Sequence, residues 1–221
     1  MRDLPRGSIP GGLDLILASG SPRRRQLLQA AGYSFEIMPA GDHAECGICS
    51  RETAPELVAR YAFQKAADIA RRTAPREIMI LAADTVASCL GRILGKPKDV
   101  EHAREILQYL SGRDHDVFTG FCLWDTTSRR GMIEVVRTQL RMLTLSDEML
   151  EEYLASMLWE GKAGAFGYQD GNDWLTILGE GSESNVVGLP MERLAELLED
   201  FDSLAQRLPQ LPDDNSNVGN S

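Results

Sequence analysis

Apolar residues recur along the chain at two spacings, and the changes between them mark out its elements. Leu13 to Ala18 is a short apolar run of strand length, and Ser34 to Met38 alternates as a second strand. Between them Pro22 opens a helical segment with Leu27, Leu28 and Ala31 at helical spacing. Thr53-Ala54-Pro55-Glu56 has the form of a capping box and predicts a helix to about Arg72, with an apolar stripe of Leu57/Val58, Tyr61/Ala62 and Ile69. Ile78 to Ala83 is continuously apolar, as a central strand is. Val86 to Ser88 and Ile93-Leu94 read as a hairpin around Leu90-Gly91-Arg92. Asp99 caps a helix with Ala103, Ile106, Leu107 and Leu110 on one face, stopped by Gly112. His115 to Trp124 and Ile133 to Met142 pair across the polar turn 125–131. A helix opened by Ser146, a strand at Trp174 to Leu178, a polar loop from Gly179 to Asn185 and a last helix from Pro190 complete the pattern. Residues 1–12, rich in Pro and Gly, are expected to fray, and the polar tail 205–221 to be disordered.

Candidate chemistry gathers where these elements meet. Ser21 stands where the N-cap of the first helix belongs, after the flexible Ser19-Gly20 and before Pro22 at the first helical position. Arg23, Arg24 and Arg25 then oppose the helix dipole and repel one another. A strand feeding a Ser/Gly loop and a helix N-terminus aims backbone N–H groups at a phosphate, and arginines add charge-assisted contacts, so an anion would offset the misfit. The alternative is a solvated basic helix start. Asp84 and Thr85 follow the central apolar run, and an acid there is costly to bury unless paired. Ligands of open α/β sheets sit at that strand edge, which makes Asp84 the first candidate for a catalytic carboxylate, with a structural cap as the alternative. Lys65 falls on the apolar stripe of its helix, where it either snorkels to the rim or points into a site. Gly95 and Pro97 flank Lys96 and fix its backbone. The glycine-dense stretch from Glu160 to Gln169 lets backbone approach a ligand, with Lys162 and Gln169 as its polar contents.

Composition narrows the classes. At 221 residues and 43% hydrophobic the chain can bury a sizeable core, and its formal charge of -10 argues against non-specific binding to nucleic acid or an anionic membrane. No apolar run reaches membrane-spanning length and the first dozen residues lack a signal-peptide core, so a cytoplasmic protein is expected. Cys46, Cys49, Cys89 and Cys122 are too few for a disulfide scaffold, and the Cys46/Cys49 spacing, without a second pair or a following helix, reads as two ordinary loop thiols. Asp42, His43 and Glu45 in the loop after Met38 either hold a hard cation or form a wet loop, the commoner case for such spacing. His102 and His115 lack partners at ligand spacing and read as structural.

Several segments in order resemble the Maf family of nucleotide pyrophosphatases over about residues 14–200. They are Leu17-Ala18-Ser19-Gly20-Ser21-Pro22-Arg23-Arg24, Ala83-Asp84-Thr85-Val86, Gly95-Lys96-Pro97, Ser111-Gly112-Arg113, Thr119-Gly120, Lys162-Ala163-Gly164 and Asn185 to Pro190. The resemblance implies an α/β fold like that of inosine triphosphate pyrophosphatases, with a mixed central sheet flanked by helices. It implies one domain, 13–204, with a nucleotide cleft between two lobes, and a homodimer. The implied reaction is hydrolysis of a nucleoside triphosphate to the monophosphate and pyrophosphate with a divalent metal, Mg²⁺ or Mn²⁺, and the catalytic acid matches Asp84. Positions matching Arg23, Thr85 and Gln169 are linked with choice of base, and this chain follows the dTTP/UTP branch rather than the one acting on 7-methyl-GTP. The family's acidic loop reads Asp-x-Asp-Glu, whereas Asp42-His43-Ala44-Glu45 lacks the middle acid. Leu158, Trp159 and Gly161 stand where the family commonly has an acid-Pro pair and an aspartate, and Phe166 and Tyr168 replace a Tyr and an aliphatic residue.

On these grounds Asp84 is expected to activate the attacking water, and Asp84 with Glu45 to hold the metal. Ser19, Arg24, Lys65 and Lys96 are expected to bind the triphosphate with the amides after Ser21, while Arg23, Thr85, Lys162 and Gln169 complete the substrate site. Competing readings are the same chemistry on another base and a nucleotide-sensing division regulator without turnover.

Overall fold

The computed structural model describes residues 3–45, 49 and 51–208. Its centre is β3 (Ile78–Cys89), flanked on one side by β1 (Asp14–Leu17) and β2 (Phe35–Ile37), both parallel to it in the order β2-β1-β3. On the other side β5 (Asp114–Asp125), β6 (Arg130–Met142) and β7 (Leu175–Ile177) run antiparallel in turn. The short β4 (Arg92–Leu94) pairs with the far end of β3.

Strand alternation explains why the apolar run of β3 is unbroken. Met79, Leu81 and Ala83 face a core shared with α1 (Pro22–Ala30) and α6 (Met191–Glu199), whereas Ile78, Ile80 and Ala82 face α2 (Ala54–Thr73). Both faces are covered, so every position is apolar. A further core gathers α3 (Val100–Leu110), α4 (Asp147–Ala155) and the outer half of the antiparallel strands around Leu107, Leu140 and Leu154. Gly120 on β5 lets α2 lie directly on the sheet, since a Cβ there would come within 2.5 Å of the Val58 backbone.

The predicted caps form at two helices: Thr53 N donates to Glu56 Oε2 at 2.8 Å, and Asp99 Oδ1 accepts from His102 N at 2.8 Å. Other expectations need correcting. β3 does not stop at Ala83 but runs through Asp84 to Cys89, because β5 pairs with it from Met79 to Ser88, well past the end of β1. The polar loop expected up to Asn185 contains the short helix α5 (Glu183–Val187), capped by Ser182. Within residues 3–12, Gly7 N donates to the Tyr33 hydroxyl at 2.8 Å and Ser8 N to Glu199 at 2.7 Å, so this segment is tied to the body rather than frayed. Ala205 is buried after α7 (Phe201–Leu204), and β8 (Gln206–Arg207) pairs with Arg130 and Gly131, which moves the expected start of the tail. Residues 209–221, and Cys46 of the cysteine pair, lie outside the described residues.

Candidate active site

Because β1 ends at Leu17 while β3 continues, a cleft opens beside the protruding half of β3 at the N-terminus of α1. The cleft measures about 580 Å³ and is lined by Ser19, Ser21, Arg23, Arg24, Glu45, Lys65, Asp84, Thr85, Lys96, Lys162 and Gln169, all eleven residues the sequence nominated. A larger hollow of about 810 Å³ beside Arg76, Trp124 and Arg129 contains none of them.

Asp84 and Thr85 are neighbours on one strand and therefore point to opposite faces. Asp84 turns toward α2, where Lys65 Nζ lies 2.6 Å from Asp84 Oδ1 and 2.8 Å from Glu45 Oε1. One ammonium thus gathers two carboxylates from distant parts of the chain. Burial pushes Glu45 up, but the Lys65 hydrogen bond and charge outweigh it, with Lys96 and Arg24 adding to the effect, and hold the carboxyl below its ordinary value.

Thr85 turns the other way, toward α1. Arg24 is buried there and spends its fork on protein oxygens: Nε donates to the Gly188 carbonyl at 2.8 Å, Nη1 to Ser19 Oγ at 3.1 Å and Nη2 to Thr85 Oγ1 at 3.0 Å. Burial pushes its pKa down, Asp84 acts against that, Arg23 adds to the lowering, and the group stays a cation. Three of its five N–H groups are occupied, so the guanidinium is oriented before any ligand arrives. Ser21 occupies the N-cap position of α1, but its hydroxyl makes no capping bond, and its backbone N–H donates to Ser19 Oγ at 3.2 Å. The first N–H groups of α1 are therefore uncapped at the cleft, the arrangement that receives an anion.

The glycine-rich stretch closes the third side. Gly164 adopts a φ of +73°, and its N–H donates to the Gly95 carbonyl at 3.1 Å, joining this loop to the one that carries Lys96. Arg23 Nη2 donates to the Gly161 carbonyl at 3.1 Å. Lys162, expected in the substrate site, has its ammonium paired with Asp170, which also accepts from the Tyr153 hydroxyl. That pairing is local, since a carboxylate only 8% exposed requires a counter-charge. Gln169 and Lys96 reach the cleft from exposed positions. Among the described residues Arg23, Arg24 and Lys96 have no carboxylate partner, whereas Lys65 and Lys162 do. The cleft keeps a surplus of positive charge inside a molecule of net charge -10.

Sequence reasoning missed Asp170, Tyr153 and the Gly188 carbonyl as parts of the site, and Asp68 as the partner of His43. Asp170 follows Gln169 directly and could have been considered as the counter-ion of Lys162. The Gly188 carbonyl carries no side-chain signal. His102 and His115 are structural as expected: His102 Nδ1 accepts from Lys98 N, and buried His115 stacks edge-on against Phe166. Glu45 and Asp84 could hold a hard cation, since their carboxylate oxygens lie within 3 Å of the point that Lys65 Nζ occupies, and among the described residues no third His, Cys, Asp or Glu joins them.

The chain is 62% identical over 213 residues to the dTTP/UTP pyrophosphatase of Rhodopirellula baltica, covering 94% of this chain and 93% of that one. It is 42% identical over 185 residues to the dTTP/UTP pyrophosphatase of Geotalea uraniireducens, covering 84% and 93%. Among solved structures a HAM1 protein from Coxiella burnetii is similar, with a TM-score of 0.48 and 16% identity over 85% of this chain and 99% of that one. The pattern of the Maf-like proteins matches residues 14–201, from β1 through the last core helices and so across every element that lines the cleft. The chain belongs to the Maf family.

Proposed function

We propose that the protein hydrolyses dTTP and UTP to the monophosphate and pyrophosphate in this cleft. The observation that carries the reading is the convergence on one cavity of Asp84, uncapped α1 amides and three cations without carboxylate partners. A triphosphate brings about four negative charges, and cations already held in place lower the barrier where charge develops. Arg24, oriented by Ser19, Thr85 and Gly188, holds the phosphates from the α1 side, and Lys96 does so from the opposite loop. Asp84 accepts the proton of the water that attacks the α-phosphorus, and Lys65 moves from between the two acids onto a phosphate oxygen.

Glu45 and Asp84 would hold Mg²⁺ or Mn²⁺. Such an ion neutralises phosphate oxygens and stabilises the leaving pyrophosphate. Arg23, Thr85 and Gln169 shape the pyrimidine preference, supported by the relatives' named substrates and by their positions in the cleft wall. The family resemblance supports a homodimer, one domain over residues 13–204 and work on the cytoplasmic nucleotide pool. Among the described residues no helix is long and apolar enough to cross a membrane.

A panel of nucleoside triphosphates assayed for released pyrophosphate, with and without Mg²⁺, tests the reading. dTTP and UTP should lead the panel in Mg²⁺, and Asp84→Asn should bind nucleotide while losing turnover. Equal turnover of dTTP by Asp84→Asn and the parent would overturn it.

A further inference from the structure

Three side chains on one face of α2, at successive turns, grip the loop that carries Glu45. Lys65, Asp68 and Arg72 are spaced i, i+3 and i+7 and so lie in a row. Arg72 Nη1 donates to the Pro39 carbonyl at 2.9 Å. Asp68 Oδ2 accepts from the Gly41 amide at 3.0 Å, and its Oδ1 lies 3.0 Å from His43 Nε2. Lys65 Nζ reaches Glu45 at 2.8 Å. The loop therefore runs antiparallel to the helix with one contact per turn.

Asp68 is the centre of this row. Its side chain is 4% exposed, and Arg72 Nη1 lies 3.1 Å from Oδ2, so a buried carboxylate takes bonds from both helix and loop. Burial pushes its pKa up, but the Gly41 amide, Arg72 and His43 outweigh that and keep it ionised. The grip reaches Glu45 through the loop's own bonds. Within the turn Asp42–Ala44, Ala44 N donates to the Gly41 carbonyl and Glu45 N to the Asp42 carbonyl, each at 3.0 Å. Gly41, held by Asp68, is thus two hydrogen bonds and one buried residue, Ala44, from the carboxylate in the cleft.

We infer that Asp68 is a positioning residue for the reaction: by clamping Gly41 and His43 to α2 it places the Glu45 carboxylate opposite Asp84. This rests on the proposed role of Glu45 toward the metal and triphosphate, but the clamp itself is a property of the chain without ligands. It also accounts for a loop lacking the middle acid, since Asp68, reached through Gly41 and His43, supplies an anchor from outside the loop.

Asp68→Asn keeps the shape and removes the charge, and exposed His43→Ala removes one arm without touching the core. Hydrogen–deuterium exchange of the full chain without metal should show the Gly41, Ala44 and Glu45 amides exchanging about tenfold faster in Asp68→Asn, and faster to a smaller extent in His43→Ala, with the sheet amides unchanged. Half-saturation by Mg²⁺ in the pyrophosphate assay should rise by about 10-fold or more in Asp68→Asn. In a Glu45→Gln background the same substitution should change turnover by less than about twofold, because it acts through that carboxylate. Unchanged exchange of the loop amides, or equal losses in both backgrounds, overturns the inference. A parent that releases no pyrophosphate would defeat the functional reading instead, and the exchange data would still decide the clamp.

Discussion

Replacing Lys65 by Met isolates the electrostatics of the site, because the thioether keeps the buried stem and removes only the ammonium. Lys65 Nζ sits between Asp84, whose side chain is 13% exposed, and Glu45, which is 45% exposed. Breaking a fully buried ion pair costs about 3–5 kcal/mol because a charge is left uncompensated. The exposed Glu45 side adds little, so the expected loss is roughly 2–3 kcal/mol. For a chain of this size that is a fall of about 4–12 °C in melting temperature, measured by calorimetry in EDTA near pH 7. With its carboxyl below the ordinary value, Glu45 stabilises the parent above that value, and this contribution is lost as pH falls through the folded pKa. In Lys65→Met the largest of the influences that hold Glu45 below its ordinary value is gone, so this pH-dependent contribution shrinks and stability falls less on acidification than in the parent. Mg²⁺ should raise the melting temperature of the variant more than that of the parent, since no ammonium has to leave the carboxylates first. An unchanged melting temperature in EDTA, or a smaller Mg²⁺ response than the parent's, would refute the reasoning.

Other outcomes follow from the same geometry. Arg24→Lys keeps the charge but cannot reach Ser19 Oγ, Thr85 Oγ1 and the Gly188 carbonyl together, so kcat/KM for dTTP should fall by about tenfold or more in steady-state assays. Gly120→Ala forces α2 away from β5, with an expected loss of about 1–3 kcal/mol in denaturant unfolding and a further loss of turnover, because Lys65 rides on that helix. Burial pushes the Cys122 thiol up to about 12, and the Cys89 thiol is raised as well. Peptide mapping after thiol labelling of the native protein at neutral pH should therefore find Cys89 and Cys122 unmodified and exposed Cys49 modified.

What the sequence determined by itself was the local grammar and the chemistry. The apolar runs at Leu13–Ala18 and Ile78–Ala83, the capping box at Thr53 and the Ser-Gly-Ser turn before three arginines were enough to place the strand–loop–helix and the candidate acid, since each depends on neighbours within a few residues. All eleven nominated residues reach one cleft for the same reason, as each was singled out by a local misfit or by its place in a family segment. Pairing partners were decided by the tertiary structure alone. β3 continues past Ala83 because β5, more than thirty residues later, extends its ladder. Lys162 is neutralised by Asp170, and Arg24 is oriented by a backbone carbonyl at Gly188 that has no letter in the sequence. His43 reads as part of a wet loop until α2 brings Asp68 against it. Burial makes these partnerships strong, and burial comes from packing between distant segments, which no single stretch of chain specifies.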